Sequence, residues 1–310
     1  VEREKVASID IGTNSVRVMI AYRDEYTLEV IQKKKIVTRL GKNLSTSGKL
    51  SDESMEKTLL ALKEFANIAK ENGVESSKMV CLATSACRDA VNGSEFMEKI
   101  EEELGIFPQI IPGEIEAQLA FAGATAEMVA NEKVLVVDIG GGSTEFAFGT
   151  PEVLEIVESL NMGAVRLKEL FFASDEYDDM TVEKAKVFIE GLMSDIVELK
   201  GEITHAIGVA GTITTQVTLR DKVDKEEGYV HLKTLSREDI KDNFNRLKKM
   251  SLSQRENLKG LEKERADVVV AGTLILLTLM ELLDIQEMTV SESDNLEGMQ
   301  LLELVEEDSE

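Results

Sequence analysis

The chain lacks tryptophan and has only two cysteines and two histidines among 310 residues. Cys81 and Cys87 are not spaced as a Cys-x-x-Cys pair. They read as a small apolar residue and a loop thiol, so neither a disulfide framework nor a zinc site is indicated. His205 and His231 are too few for a His-rich metal site. Positive charge is scarce too: 35 Lys and Arg against 59 Asp and Glu leave a formal net charge of −24. That excludes a general nucleic-acid binder, which needs a basic surface. Three prolines and 21 glycines exclude a low-complexity or collagen-like chain. Long apolar runs are missing as well. The longest, Val268 to Met280, is bounded by Asp267 and Glu281. It falls short of the roughly 20 residues a membrane-spanning helix needs, so a buried core helix is expected. The start, "VEREKVASID", runs from charges directly into a strand pattern, and no signal peptide is expected. The reading is a cytoplasmic globular protein with no membrane partner, long enough for two domains.

What the chain does have is a repeated stretch. "VLVVDIGGGSTEFAFG", Val134 to Gly149, echoes "VASIDIGTNSVRVMIAY", Val6 to Tyr22. Overlaid, Asp10 falls on Asp138, Gly12 on Gly140 and Ser15 on Ser143. Each copy is followed by a further strand pattern and then by alternating helices and strands. The first half reads as a strand at "YTLEVIQKKKIVTRL", a helix from Ser51 to Asn72, a strand at "KMVCLAT", a helix over Glu95–Leu104, a strand at "PQIIP" and a helix from Gly113 to about Met128. The second reads as a strand at "VLEIVES", helices over Ala164–Phe172 and Thr181–Leu199, a strand at "ITHAIGVA", helices to Leu283 and a last strand at "EMTVSES". This order predicts an α/β fold, a sheet covered by helices in each half. Two lobes with a cleft between them are expected, 1–128 and 129–294, linked over Val129–Lys133, with a helix over 295–310 returning to the first.

The glycines mark the turns between strands. Strand side chains alternate faces. Val16, Val18 and Ile20 should therefore pack inward while Ser15, Arg17 and Met19 look out. Thr144, Phe146 and Phe148 should likewise share one face, and Ser143, Glu145 and Ala147 the other. Arg17 and Glu145 then hold equivalent places. Glycines permit positive φ and remove side chains, so successive N–H groups can converge on an anion. An ordinary hairpin, with glycines serving only the turn, is the alternative. "GVAGT", Gly208 to Thr212, opens a helix after a strand, so the N–H groups of Gly211 and Thr212 could take another phosphate or merely make a turn. Arginine offers phosphate a planar donor fork, which singles out Arg17 and Arg88, although Arg88 could simply pair with Asp89.

The paired turns resemble the actin, sugar-kinase and heat-shock-chaperone ATPase superfamily. Finer motifs are similar to the exopolyphosphatase and guanosine-pentaphosphate phosphohydrolase family in its short form. They are "SIDIGTNSVRVMI", "CLATSACRDAVNG", "IIPGEIEAQLAFAG", "VVDIGGGSTEFAFG", "SLNMGAVRLKELFF", "GVAGTITT" and "ERADVVVAGTLILL". The resemblance implies two ribonuclease H-like lobes in an actin-like ATPase fold. It implies hydrolysis of the terminal phosphoanhydride of inorganic polyphosphate, with guanosine pentaphosphate going to the tetraphosphate as the alternative. A nucleotide-binding regulatory protein with little turnover is a further reading. Glu116 would be the base, Glu145 a catalytic carboxylate, and Asp138 with Glu145 the Mg²⁺ ligands, with Asp10 nearby. Read from the residues alone, Glu114 and Glu116 are also acidic residues suited to a helix's first turn. Phosphate would be held by Gly12, Thr13, Asn14, Ser15 and Arg17, by Arg88, by Gly140, Gly141, Gly142, Ser143 and Thr144, and by Gly211, Thr212 and Arg265. A homodimer is implied as well. Lys33 to Lys35, the densest positive charge, are either an exposed strand end or a track for a long polyanion. One departure stands out: Asp294, Asn295 and Leu296 occupy the place of the family's Gly-Leu-Arg.

Overall fold

The computed structural model describes residues 3–25, 27–126, 128, 132–224 and 229–307. Among the described residues eleven strands and twelve helices alternate. In chain order they are β1 Glu4–Ile11, β2 Ser15–Arg23, β3 Leu28–Val37, α1 Leu44–Ser47, α2 Asp52–Glu71, β4 Met79–Ala83, α3 Ser85–Asp89, α4 Gly93–Leu104, β5 Gln109–Ile110 and α5 Gly113–Thr125. Then follow β6 Val134–Ile139, β7 Thr144–Gly149, β8 Leu154–Leu160, α6 Ala164–Phe171, α7 Asp179–Leu192, β9 His205–Val209, α8 Ala210–Asp221, β10 Thr234–Ser236, α9 Arg237–Leu247, α10 Leu252–Glu256, α11 Val269–Leu282, β11 Glu287–Val290 and α12 Asn295–Glu307. The chain divides into two compact units, Val1–Gly123 with Ser293–Glu310, and Ala124–Glu292. The linker expected over Val129–Lys133 falls largely on residues outside those described.

The first unit carries a five-stranded sheet in the order β3-β2-β1-β4-β5. β1, β2 and β3 are antiparallel neighbours, and β4 runs parallel to β1. Ile9, Ile11, Val16, Val18 and Ile20 pack with Leu62 and Phe65 of α2 and Phe96 and Ile100 of α4. α2 starts where Ser51 accepts from the Ser54 N–H, with Asp52 and Glu53 beside the positive helix end. The opposite face is not open to solvent as the alternation implied. Met19 is fully buried with Val6 and Ala21 against Leu296 of α12. Gln300 of α12 fastens that helix by donating to Ser8 Oγ at 2.9 Å and to the Ala7 carbonyl at 3.3 Å. Cys87, read as a loop thiol, is buried in α3.

The second unit repeats the plan with one strand more. Its sheet runs β10-β11-β9-β6-β7-β8. β6, β7 and β8 correspond to β1, β2 and β3, and β9, parallel to β6, corresponds to β4. Every residue of β6 and β7 is buried, and Phe146 and Phe148 enter the core as their alternation requires. The apolar run becomes α11, whose residues from Val269 to Met280 are all buried. Among the described residues no helix is long and apolar enough to cross a membrane. Two elements differ from expectation. The helix expected over Thr181–Leu199 starts earlier, after Asp178 caps the N–H groups of Met180 and Thr181, and ends at Leu192 before a separate tight turn over Ile196–Leu199. The three-residue edge strand β10 lies in a stretch read as helical, because so short a segment shows no period.

Candidate active site

The two turns are the same device. In one the Gly12 N–H donates to the Ser15 carbonyl at 3.1 Å, and in the other the Gly140 N–H donates to the Ser143 carbonyl at 3.1 Å. None of Gly12, Gly140, Gly141 and Gly142 has positive φ, so conformational freedom is not their reason. Space is. A Cβ on Gly163, at the start of α6, would lie 2.4 Å from the Gly141 carbonyl, so the turn and the helix meet backbone to backbone. The Gly140 carbonyl accepts from Ala164 N–H at 3.0 Å, that of Gly141 from Val165 N–H at 2.8 Å, and that of Gly142 from Arg166 Nε at 2.8 Å. The first turn is held likewise. The Thr13 carbonyl accepts from Gly41 N–H at 2.8 Å and the Asn14 carbonyl from Arg39 N–H at 2.9 Å.

In a trans peptide the carbonyl and the next N–H point opposite ways. Committing these carbonyls to the supporting segments therefore turns the N–H groups of Asn14, Ser15, Gly141, Gly142 and Ser143 away from them. N–H groups freed in this way are donors that a phosphate oxygen can take. Thr144 does not share that role. Its hydroxyl is fully buried and donates to the Met162 carbonyl, so it supports the turn from beneath.

Register sets the charges beside the turns. Asp10 pairs with Arg17 across β1–β2, and Asp138 pairs with Glu145 across β6–β7. The equivalence of Arg17 and Glu145 inferred from the repeat is thus present in the ladder. Directly opposed residues share a face with Cβ atoms about 5 Å apart, and like charges there repel. Asp138 and Glu145 are both buried, and Ser159 Oγ donates to Glu145 Oε1 at 2.9 Å. Two adjacent buried carboxylates are a hard-oxygen donor pair that a divalent cation would relieve. No cluster of three or more ligand-type side chains exists among the described residues. Mg²⁺ characteristically takes one or two carboxylates and completes its shell with water and phosphate oxygens, so the pair fits it.

Glu116 sits in the first turn of α5, buried, with Arg88 NH1 at 3.6 Å from Oε2. Arg88 also donates to the Ile111 carbonyl at 3.0 Å, while Asp89 lies 4.0 Å from its Nε. Arg88 therefore lies nearer to Glu116 than to Asp89. In the second unit Arg265 lies over the start of α8: a Cβ on Gly211 would sit 1.8 Å from the guanidinium, so a larger residue there would displace the arginine's end. Thr212 lines the same small recess, and Ala210 takes a left-handed φ of 63° to make the bend. A strained residue at a helix N-terminus beside an arginine suits an anion. Arg265 is steadied by Glu262 at 3.0 Å.

Arg17 is held more tightly than the motif foretold. Its Nε and NH2 donate to Asp10 Oδ2 at 2.9 and 2.6 Å, and its NH1 donates to Asp294 Oδ2. Burial pushes the Asp10 carboxyl up; Arg17 opposes this and Asp294 adds to it. Burial acts upward on Asp294 too, but Arg17 and Lys33 outweigh it and hold that carboxyl low. The lysine run is split by strand alternation. Lys33 pairs with Glu297 of α12, whereas Lys34 on the other face pairs with Glu64 of α2. They do not form one continuous track.

Comparison with known proteins gives the family and the fold. Residues 19–307 match the Ppx/GppA phosphatase family. The bifunctional 3-dehydroquinate synthase/phosphatase of Fusobacterium nucleatum is 36% identical over 311 residues, 97% of this chain and 46% of that protein. The chain thus spans about half of that relative's length. Exopolyphosphatase 2 of Mycobacterium tuberculosis is 33% identical over 316 residues, covering 96% of this chain and 98% of that one. The crystal structure of the Aquifex aeolicus Ppx/GppA family member superimposes with a TM-score of 0.83 at 32% identity, covering 100% of both chains.

Proposed function

Because the chain belongs to the Ppx/GppA phosphatase family, we propose that it is a phosphoanhydride hydrolase that removes the terminal phosphate of inorganic polyphosphate. The observation that carries this reading is the duplicated turn, which in both units commits its carbonyls to the fold and leaves a row of N–H donors for phosphate oxygens. A relative named exopolyphosphatase 2 supports the substrate class, since the match covers 98% of its length.

The reaction needs a proton acceptor for water and positive charge on the phosphoryl oxygens. In our reading the water oxygen bonds to the terminal phosphorus, its proton passes to the Glu116 carboxylate, and the bridging P–O bond breaks. The shortened chain leaves with the bonding electron pair as a phosphate oxyanion. Arg88 beside Glu116, and Arg265 over the start of α8, supply cationic donors. The N–H groups of Gly141, Gly142 and Ser143 hold phosphoryl oxygens as they gain charge. Mg²⁺ held by Asp138 and Glu145 would neutralise phosphate charge. The resemblance also implies a homodimer in the cytoplasm, and light scattering measures the former.

Guanosine pentaphosphate is the alternative substrate. It is favoured by the occupation of Lys33 and Lys34 by Glu297 and Glu64, because it asks for only a short run of phosphate contacts. Phosphate release from polyphosphate, guanosine pentaphosphate and ATP tests the assignment. Release from polyphosphate supports it. Release from the nucleotide alone transfers it to the alternative substrate, and release from neither defeats it.

A further inference from the structure

Asp294 and Glu297 form a reciprocal cap at the start of α12. The Asp294 N–H donates to Glu297 Oε2 at 3.0 Å, and Asp294 Oδ1 accepts from the Leu296 N–H at 3.2 Å. Each side chain has a second oxygen to spare, and each spends it on a cation of the β2–β3 ribbon. Asp294 Oδ2 takes Arg17 and Glu297 Oε1 takes Lys33. The ladder places those cations together, since Arg17 pairs with Lys35 and Met19 with Lys33, so Arg17, Lys33 and Lys35 share the face that α12 covers. Asp10 lies on Arg17 as well. Three carboxylates thus meet Arg17 and Lys33, the cations a phosphate chain would otherwise use. Both acids are about nineteen-twentieths buried, with Asp294 and Glu297 each 5% exposed, so they are fixed in place by the fold.

We propose that Asp294 and Glu297 are specificity determinants that deny long phosphate chains any added affinity. They hold Arg17 and Lys33 in internal ion pairs, so extra phosphates beyond the reacting one gain no charge contact from these two cations. The chain accordingly acts on short phosphoanhydrides and is indifferent to added length. Asp294 stands where the resembling family has glycine, which could not make this pair. The inference rests on the reading that Arg17 faces substrate phosphate.

The test is equilibrium binding of tripolyphosphate and long-chain polyphosphate to the full chain, with phosphate release measured in parallel. Asp294→Asn keeps an N-cap acceptor, and Glu297→Gln keeps the capping-box acceptor, so both retain the helix start. Asp294→Asn should tighten long-chain binding by about tenfold, the worth of one charge-assisted hydrogen bond. Tripolyphosphate should gain much less, and long-chain binding should become more sensitive to salt. Glu297→Gln should act in the same direction. Glu64→Gln makes the same change in net charge but releases Lys34 on the other face, and should leave the chain-length ratio as in the wild type. An unchanged ratio in both Asp294→Asn and Glu297→Gln, or an equal gain in Glu64→Gln, overturns the proposal. Phosphate release decides the hydrolase reading separately. A wild type that binds polyphosphate without releasing phosphate loses that reading, while the binding ratios still decide this one.

Discussion

Gly163→Ala isolates the position of the second turn from every group that would touch a ligand. Gly163 has φ −138° and ψ 171°, a conformation alanine adopts without strain, so only the new methyl matters. That methyl would lie 2.4 Å from the Gly141 carbonyl carbon and oxygen and 2.5 Å from the Gly142 nitrogen. Ordinary contact begins at 3.4 Å, so the turn must withdraw from α6 by 1.0 Å. Three carbonyl bonds to Ala164, Val165 and Arg166 resist the movement. Overpacking of this kind costs about 1–3 kcal/mol, which urea unfolding measures. The same shift carries the N–H groups of Gly141 and Gly142 away from the phosphoryl oxygens. A displacement of about 1 Å costs on the order of a hundredfold in rate, which phosphate release from tripolyphosphate measures. Gly191→Ala in α7 is the control. Its methyl meets nothing within 4 Å, and it should stabilise the protein by about 0.5–1 kcal/mol without touching turnover. Gly163→Ala with wild-type kcat would refute the reasoning, because the turn's position would then be irrelevant to the chemistry.

Glu116→Gln should retain the unfolding midpoint and substrate binding but lose on the order of a hundredfold or more in kcat, as removal of a general base does; single-turnover kinetics separate the two. Asp138→Asn and Glu145→Gln should each raise the Mg²⁺ concentration required for half-maximal activity, read from a metal titration, since a neutral amide is a poorer ligand for a hard cation. Cys81 and Cys87 should resist iodoacetamide at neutral pH in the folded protein and react on denaturation. Burial drives both thiol pKa values up, that of Cys87 to about 12, and mass spectrometry counts the adducts.

The parts of the site that were legible in the sequence are those fixed by local register. The overlay of Asp10 on Asp138 gives the two hairpins, and a hairpin of fixed turn length dictates that Arg17 faces Asp10 and Glu145 faces Asp138. The pairing of Glu116 with Arg88 was not legible, because nothing local joins α3 to the start of α5. The fate of Arg17 was not legible. Asp294 lies 277 residues away, and only the return of α12 over β1 and β2 brings it there. The same return buries Met19, which strand alternation assigned to the exposed side. The glycines were rightly located, but none of the turn glycines takes the positive φ that glycine permits, and the close approach of Gly163 to the second turn is a tertiary fact. Lys33 to Lys35 read as one cluster in the chain, yet a strand sends neighbours to opposite faces, and partners on α12 and α2 divide them.

The central claim is that this chain transfers the terminal phosphoryl group of a phosphate chain to water. Hydrolysis of tripolyphosphate in ¹⁸O-enriched water with Mg²⁺, followed by ³¹P NMR, tests it directly. The account predicts orthophosphate carrying one solvent-derived oxygen and an unlabelled pyrophosphate as the co-product of the first turnover. Pyrophosphate carrying the label, orthophosphate without it, or no cleavage at all would contradict the account.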